Sequence, residues 1–554
     1  MNDQISNSEK KGLKFYYPVI LAAVLILGMY LGDQISHRNA SKGNIMAFES
    51  RLKVNQVLEY IDKKYVDSVN KTVLIKSAIQ GILKNLDPHS VYISPTNLQQ
   101  ASEFLQGNFE GIGIRFFIVN DTIMVVSPIA GGPSAALGIL PGDKIIEIES
   151  ENVAGIGISE QDVVNMLRGE KGSAVNISIL RANTRAILAF DIIRDKIPLY
   201  SVDVSYMVDE NIGYIKISHF SRTTNTEFTK AINILKSQGL QKMILDLRGN
   251  PGGFLNAAIV LADEFINEGK LLLYTEGRRQ EKEEYRASKG GKFEQGDLVI
   301  LIDRGSASAS EIVAGAIQDW DRGVIIGRRS FGKGLVQEQH QFEDGSAIRL
   351  TIARYYTPIG RCIQKPYDNG FEDYYFESYE RFSSGELGSA DSIEFADSLK
   401  FITPAGKVVY GGGGIMPDIF VPLDTSRNSV YLNKLMRKGL VMQFAYDHVS
   451  NHKTDFNSYK NVAEFIEHYD AGKELVPRLI KYAEQKDVPF NQADFDKSEE
   501  QIEILLCSYV AQQLWRNEGF YQVRNQLDEV FQKALEVLNS EESVESELSL
   551  NQAK

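Results

Sequence analysis

Between residues 199 and 425, short apolar runs typical of buried strands alternate with helical patterns, and this alternation constrains the fold more than any other feature. The predicted elements are strands over 213–217, 242–247, 297–302 and 323–327, with helices over 225–236, 256–266 and 308–320. Parallel neighbouring strands need a crossover connection, which is usually a helix. This region is therefore predicted to be an α/β core with a partly parallel sheet.

Residues 108–198 form a second region, in which β-rich runs are separated by turn signals such as Pro141-Gly142-Asp143. Two short helices, over 134–137 and 162–167, complete a small β-rich domain. The stretch from Ser540 is acidic and lacks aromatic residues, so it is predicted to be disordered.

We predict a multidomain α/β protein with these parts: 1–40, a cytoplasmic tip, membrane anchor and tether; 41–107, a helical segment; 108–198, the β-rich domain; 199–425, the α/β core; and 426–554, a helical C-terminal region with the acidic tail.

The overall charge and the cysteines exclude several classes of protein. A net charge of −13 argues against a nucleic-acid-binding protein, which normally carries a basic face. Cys362 and Cys507 lie far apart and form no C-x-x-C pair, so the sequence predicts neither a cysteine metal site nor a cofactor.

The N-terminus predicts a membrane anchor. Lys10, Lys11 and Lys14 precede the run Phe15–Leu31, which contains no charged residue. At about 1.5 Å per residue this run just crosses a thin bilayer, and the lysines favour a cytoplasmic N-terminus. The alternative is a cleaved signal peptide, but no small-x-small cleavage site follows Leu31. We expect a single-pass protein of the cytoplasmic membrane, with its folded part in the periplasm or outside the cell.

Ser308 follows an apolar strand and opens a predicted helix. The first N–H groups of a helix have no intrahelical partner, so they and the helix dipole can stabilise an oxyanion beside such a serine. The alternative is structural, because Ser308-Ala309-Ser310-Glu311 also fits the capping box of an ordinary helix.

Lys333 stands between two glycines, just after a predicted buried strand. Burial lowers the pKa of a lysine, and a neutral amine can take the proton of a serine hydroxyl. Gln337 lies four residues further on and would orient the amine if the segment turns helically. A phosphate-binding lysine is the alternative, but Gly334 occupies the place of the Ser or Thr of that motif.

The glycines that follow the strand at 242–247 supply further backbone donors. Gly252 and Gly253 belong to a strand–turn–helix segment whose amides would complete an oxyanion hole, although glycines are common in such turns. None of the seven histidines lies in a recognisable catalytic motif; His219 and His340 fall in the core region and remain candidates.

Together these segments resemble the C-terminal processing (tail-specific) peptidases, a serine–lysine family. The match extends over about residues 45–425 and centres on Gly305-Ser306-Ala307-Ser308-Ala309-Ser310-Glu311, Phe331-Gly332-Lys333-Gly334 and Gln337. The resemblance implies that Ser308 is the nucleophile, Lys333 its base and Gln337 the residue that positions the base. It also implies an oxyanion hole formed by the amides of Ala309 and Gly253. Ser330 departs from the family, where threonine is commoner.

The β-rich domain resembles a PDZ domain. Its carboxylate-binding loop would be Gly111-Ile112-Gly113-Ile114, which holds a peptide C-terminus while the adjacent strand edge adds the peptide as a strand. Arg168, in the segment after the second short helix, is predicted to couple peptide docking to assembly of the active site.

The sequence thus predicts a serine endopeptidase that cleaves unstructured C-terminal tails and needs no metal. The alternative is a non-catalytic PDZ scaffold at the membrane, but both Ser308 and Lys333 are present. Predicted partners are proteins or peptides with exposed C-termini and the membrane, not nucleic acid. An adaptor protein and a homo-oligomer are left open.

Overall fold

The computed structural model describes residues 18, 20–30, 42–119, 121–181, 186–393 and 395–540, apart from the side chains of 42–52 and 453. The helices are α1 (Lys42–Lys64), α2 (Lys71–Lys84), α3 (Pro95–Gln106), α4 (Pro133–Ala136), α5 (Glu160–Leu167), α6 (Thr224–Ser237), α7 (Leu255–Asp263), α8 (Ala309–Asp319), α9 (Phe371–Ser383), α10 (Val430–Arg437), α11 (Leu440–Asn451), α12 (Val462–His468), α13 (Ala471–Glu474), α14 (Val476–Glu484), α15 (Gln492–Arg524) and α16 (Glu529–Asn539). The strands are β1 (Val91–Ile93), β2 (Asn108–Gly111), β3 (Ile114–Ile118), β4 (Ile123–Pro128), β5 (Lys144–Ile148), β6 (Glu151–Asn152), β7 (Ala174–Arg181), β8 (Ala186–Ile193), β9 (Asp195–Pro198), β10 (Val202–Met207), β11 (Ile212–Ile217), β12 (Lys242–Asp246), β13 (Leu271–Glu276), β14 (Glu283–Arg286), β15 (Leu298–Ile302), β16 (Val324–Gly327), β17 (Leu335–Gln341), β18 (Ala347–Tyr356), β19 (Lys400–Ile402), β20 (Val408–Tyr410) and β21 (Ile419–Phe420).

A six-stranded sheet of order β10-β11-β12-β15-β16-β21 forms the centre of the larger of two units, residues 84–554. Its strands are parallel except for β10, which is antiparallel to β11. Every residue of β15 is buried, as expected of a strand covered on both faces. The predicted α/β core with a partly parallel sheet is confirmed.

Helices cover both faces of this sheet. Helices α6, α7 and α8 pack on one face, where Phe228, Leu261 and Ile317 join its core. The other face is covered by α16, through apolar side chains such as Phe531 and Val537. Helix α16 lies beyond residue 425, the predicted end of the core. It nevertheless covers one face of the central sheet.

A second sheet, of order β1-β18-β13-β14 with β17 also paired to β18, lies beside the core. All its pairs are antiparallel. Strand β1 comes from the segment before the β-rich domain, and its Val91 pairs with Arg349 of β18. The segment around residues 84–106 therefore belongs to the same structure as the catalytic candidates.

The β-rich domain is a sheet of order β3-β4-β5-β7-β8, with β6 paired to β5. Helix α5 packs on it through Val163 and Leu167. Strand β3 is at the edge of the sheet, next to the predicted carboxylate-binding loop. The two short helices predicted for this domain correspond to α4 and α5.

Helices α10 to α15 form a separate bundle with its own core, which includes Leu435, Val441, Phe465 and Leu506. The longest, α15, is interrupted by non-helical residues at Trp515 and Arg516.

The N-terminal unit comprises residues 1–83 and contains α1 and most of α2. Of the predicted anchor Phe15–Leu31, the structure describes residue 18 and residues 20–30, which are helical; the remainder lies outside the described residues. Among the described residues, no helix is both long and apolar enough to cross a bilayer. The predicted disordered tail after Ser540 also lies outside the described residues.

Candidate active site

Ser308 lies between β15 and α8, in a strained conformation with φ 54° and ψ −110°. Such a backbone costs about 1–3 kcal/mol and is concentrated at functional sites. A Cβ on Gly252 would lie 2.8 Å from the Cβ of Ser308, so the two segments touch and only glycine fits at position 252. The loops that follow β12 and β15 meet here because parallel strands end at the same edge of the sheet.

Two backbone amides beside Ser308 are free to donate. The N–H groups of Gly253 and Ala309 make no hydrogen bond within the described part of the chain. Gly253 has φ 149°, and a Cβ there would lie 1.9 Å from the carbonyl oxygen of Phe220. The predicted oxyanion residues are therefore next to Ser308, with their donors unused.

Lys333 lies in the loop before β17 and donates from Nζ to Oε1 of Gln337 over 3.1 Å. Gln337 in turn donates from Nε2 to the carbonyl oxygen of His89 over 2.6 Å. Gln337 lies in strand β17, so this contact forms without a helical turn. A β-bulge between Val336 and Gln337 alters the strand at this point, as bulges near active sites often do.

Burial sets the protonation of Lys333. Loss of hydration lowers its pKa from 10.5 to about 8, and repulsion from the guanidinium of Arg349 adds to this effect. Asp87 and Glu311 act in the opposite direction, by attraction. Lys333 has no salt bridge in the described chain, and with a pKa of about 8 about one tenth of it is the free amine at pH 7 and about half at pH 8.

Two buried side chains tie the Ser308 segment to the Lys333 segment. One oxygen of the Glu311 carboxylate accepts from the backbone N–H groups of Ser308, at 2.8 Å, and Lys333, at 2.9 Å. Its other oxygen accepts from Ser330 Oγ and the amide of Gly332. The Tyr355 hydroxyl lies 3.1 Å from the carbonyl oxygen of Ser308 and 2.9 Å from that of Lys333.

The loop before β1 holds the side chain of Gln337 in place, because its His89 carbonyl accepts the Gln337 hydrogen bond. The Asp87 carboxylate accepts from the amides of His89 and Ser90, and from the hydroxyl of Thr351 in β18. These bonds hold the His89 carbonyl where Gln337 donates to it. Burial lowers the pKa of the His89 ring to about 4, so the ring is neutral at physiological pH, and it contacts the Tyr374 hydroxyl at 2.8 Å.

Ser308 and Lys333 both line one cavity of about 620 Å³. Its other lining residues include Phe104, Phe254 and Ile312, which give it an apolar wall suited to side chains of an extended peptide. Within the described chain, no hydrogen bond joins Ser308 to Lys333. His219 and His340 do not line this cavity.

The predicted peptide-binding loop has free donors as well. The N–H groups of Ile112 and Gly113 make no hydrogen bond in the described part of the chain, and Gly111 and Ile114 end β2 and begin β3 on either side. Arg168 follows α5 and pairs with Glu103 of α3 over 2.5 Å. Helix α3 also contributes Phe104 to the cavity. Arg168 therefore contacts, through Glu103, a helix that lines the cavity of Ser308 and Lys333.

Sequence reasoning missed several of these residues. For Glu311 the sequence predicts a helix cap and a place in the family motif, but not the hydrogen bond to the Lys333 loop, which joins segments that local spacing does not bring together. Asp87 lies in Leu86-Asp87-Pro88-His89-Ser90, where the proline predicts the end of a helix and the stretch resembles the C-terminal processing peptidases. That resemblance indicates a functional loop, but it assigns no role to Asp87.

Comparison with known proteins identifies the parts of the chain. Family models match in four places: peptidase family S41 over residues 211–372, a PDZ domain over 124–181, the N-terminal domain of the activating protease CtpB over 28–96, and a family of unknown function over 431–516.

Two curated proteins of Bacillus subtilis (strain 168) are similar over most of their length. The chain is 36% identical over 362 residues to the carboxy-terminal processing protease CtpA, covering 64% of this chain and 76% of that protein. It is 33% identical over 393 residues to the carboxy-terminal processing protease CtpB, covering 70% and 79%. The solved photosystem II D1 C-terminal processing protease matches 66% of this chain and 92% of its own at 24% identity, with a TM-score of 0.34.

The family models and the two Bacillus subtilis relatives, with the α/β core, define a serine-type endopeptidase that also contains a PDZ domain. The chain belongs to peptidase family S41 and is a C-terminal processing serine peptidase, as its sequence motifs predicted.

Proposed function

We propose that Ser308 and Lys333 form the catalytic dyad of this peptidase. The observation that supports it best is the placement of the Lys333 amine in the cavity of Ser308, buried, held by Gln337 and without a carboxylate partner. A lysine with a pKa of about 8 has enough free base to accept the Ser308 proton.

The reaction then proceeds in two steps. Ser308 Oγ attacks the scissile carbonyl while its proton passes to Lys333 Nζ, and the N–H groups of Ala309 and Gly253 bind the oxyanion. The protonated amine gives its proton to the leaving nitrogen, which frees the C-terminal product and leaves an acyl-enzyme. Lys333 next activates a water that hydrolyses the ester.

Substrate binding would bring the dyad into register. Ser308 and Lys333 share a cavity but make no mutual hydrogen bond in the described chain, and catalytic hydrogen bonds often tighten only when substrate is bound. Glu311 and Tyr355 contact both segments, so a small movement of one is transmitted to the other.

The PDZ domain supplies the docking site in this proposal. The carboxylate of an unstructured protein tail binds the amides of the loop Gly111–Ile114, and the tail adds to the free edge of β3. Occupancy is communicated through Arg168 and Glu103 to α3. Activity is thereby restricted to chains with an accessible C-terminus.

We further propose that the folded part acts outside the cytoplasm, tethered to the membrane. This rests on the lysines before an uncharged N-terminal run alone. Fractionation of cells that express the full chain, with protease added to intact spheroplasts, tests it: a soluble cytoplasmic fraction protected from protease would contradict it.

Cleavage of an unfolded protein tests the proposed dyad. The wild type, Ser308→Ala and Lys333→Ala are incubated with a denatured protein that has an apolar C-terminus, and products are identified by mass. Only the wild type is expected to cut. Equal cutting by the Ser308→Ala chain would place the nucleophile elsewhere.

A further inference from the structure

A cationic residue of the active-site cavity has no role in the reaction above. Arg349 lies in β18, between Gln339 of β17 and Val91 of β1, and lines the cavity that holds Ser308 and Lys333. Its guanidinium donates to the side-chain oxygen of Gln339 over 3.2 Å. One neutral amide leaves most of its five N–H donors without a protein acceptor.

Among the described residues, no carboxylate forms an ion pair with this charge. Arg349 forms no ion pair in the part of the chain that the structure describes, whereas Arg168 and Arg248 are paired with Glu103 and with Asp246. The Arg349 side chain is nevertheless half-buried, and this burial lowers the pKa of its guanidinium. Keeping a desolvated and unpaired cation is costly, so its presence in a binding cavity indicates an anionic ligand.

The geometry also sets the kind of anion. The cavity accepts an extended peptide, and the anionic groups that a peptide carries are carboxylates. A planar guanidinium binds a carboxylate through two parallel hydrogen bonds. In the proposed reaction the neighbouring Lys333 acts as a neutral base, and in that form it carries no charge that could bind this anion.

We infer that Arg349 binds a carboxylate of the substrate inside the catalytic cavity, and so selects tails that carry an anionic group close to the scissile bond. The inference rests on the proposed function. The carboxylate comes from an aspartate or glutamate side chain, or from a free C-terminus that enters the cavity.

Paired peptides test this selectivity. Internally quenched peptides with an apolar C-terminus carry Glu or Gln at each position around the cut in turn, and each is made with a free and an amidated C-terminus. Arg349→Gln and Arg349→Met are the neutral variants. Arg354→Gln, from an exposed position of the same strand, is the matched control. Thermal melting verifies that each variant is folded.

The neutral variants remove a charge that repels the proton of Lys333, so its pKa is expected to rise. Rates are therefore compared on the plateau of each pH profile, where Lys333 is neutral in every chain. In the wild type and the Arg354→Gln control, one Glu peptide is expected to have a kcat/KM about tenfold above its Gln partner, the size of one charged hydrogen bond. That ratio falls to about one in the neutral variants.

Comparison of peptides with a free and an amidated C-terminus identifies the source of the carboxylate. A preference for the free over the amidated C-terminus that disappears in the neutral variants assigns the C-terminus to Arg349. The inference is overturned if no Glu or free-acid preference exists in the wild type, or if every such preference survives in Arg349→Gln and Arg349→Met. Failure of the wild type to cleave any peptide would instead contradict the proposed function.

Discussion

At the scale of single residues, Glu311 links the segments of Ser308 and Lys333, the proposed nucleophile and base. Its carboxylate accepts four hydrogen bonds, from the amides of Ser308, Gly332 and Lys333 and from the Ser330 hydroxyl. In Glu311→Gln one carboxylate oxygen is replaced by an NH₂ group, which cannot accept hydrogen bonds, so two of the four donors lose their acceptor. We expect kcat to fall about 100-fold, since each charged hydrogen bond contributes about 1.5–3 kcal/mol, with little change in KM.

The pH profile separates this positioning role from a general loss of structure. The charge of Glu311 attracts the Lys333 proton, so its removal should shift the rising limb of kcat to lower pH. Steady-state kinetics from pH 6 to 10 measures both effects. A variant with wild-type kcat would show that Glu311 is only a helix cap.

The burial of Lys333 should also be visible in stability. Below pH 8 it is protonated in the folded and the unfolded chain, and the folded chain then bears the full cost of its lowered pKa, on the order of 3 kcal/mol. Between pH 8 and 10.5 the folded chain releases the proton first, so that cost disappears as the pH rises.

Lys333→Met is therefore expected to raise the free energy of unfolding at pH 7 and to lose this advantage by about pH 10.5. Urea denaturation, with Ser308→Ala in both chains to prevent self-cleavage, measures the difference. A destabilised Met chain at pH 7 would mean that Lys333 is not held against a desolvation cost.

At the scale of elements, α16 belongs to the peptidase core. Phe531 is 3% exposed and meets Tyr214 of β11 edge to face, with ring centroids 5.4 Å apart. Phe531→Ala should lower the free energy of unfolding by about 3–5 kcal/mol. The neighbouring substitution Lys533→Ala, at a half-buried position that carries a surface ion pair with Glu536, should change it by less than about 1 kcal/mol. Equal effects in denaturant titration would contradict this packing.

The parts of the fold that could be predicted from the sequence are those encoded by residues close together in the chain, such as the buried strands. The strands at 242–247 and 297–302 were found because a strand buried on both faces is a continuous apolar run. Strands β17 and β18 were not predicted, because their half-exposed faces carry polar residues, and the apolar stripe of α16 does not reveal which sheet it covers. Ser308, Lys333 and Gln337 were selected by resemblance, whereas Glu311 and Asp87 depend on contacts between distant segments.

At the scale of the whole molecule, the chain contains a PDZ domain and the cavity that holds Ser308 and Lys333. Arg168 connects them through Glu103, and it also lies over the ring of Phe109, 4.9 Å from its centroid. Arg168→Ala should reduce the advantage of a free over an amidated C-terminus by about 5-fold or more, the usual scale of coupling between sites. Lys171→Ala, which removes an exposed ion pair with Asp195, is the control.

Turnover of matched peptides with either C-terminus measures this coupling. An Arg168→Ala chain that still prefers the free carboxylate as strongly as the control would separate the PDZ domain from activation.

The pH dependence of kcat/KM tests the central claim, that a buried neutral lysine activates Ser308, most directly. For the wild type we predict a tenfold rise per pH unit that levels off near pH 8, as Lys333 loses its proton. Lys333→Ala and Ser308→Ala should be inactive at every pH. If kcat/KM of Lys333→Ala still rose between pH 6 and 7, a group other than Lys333 would be the base.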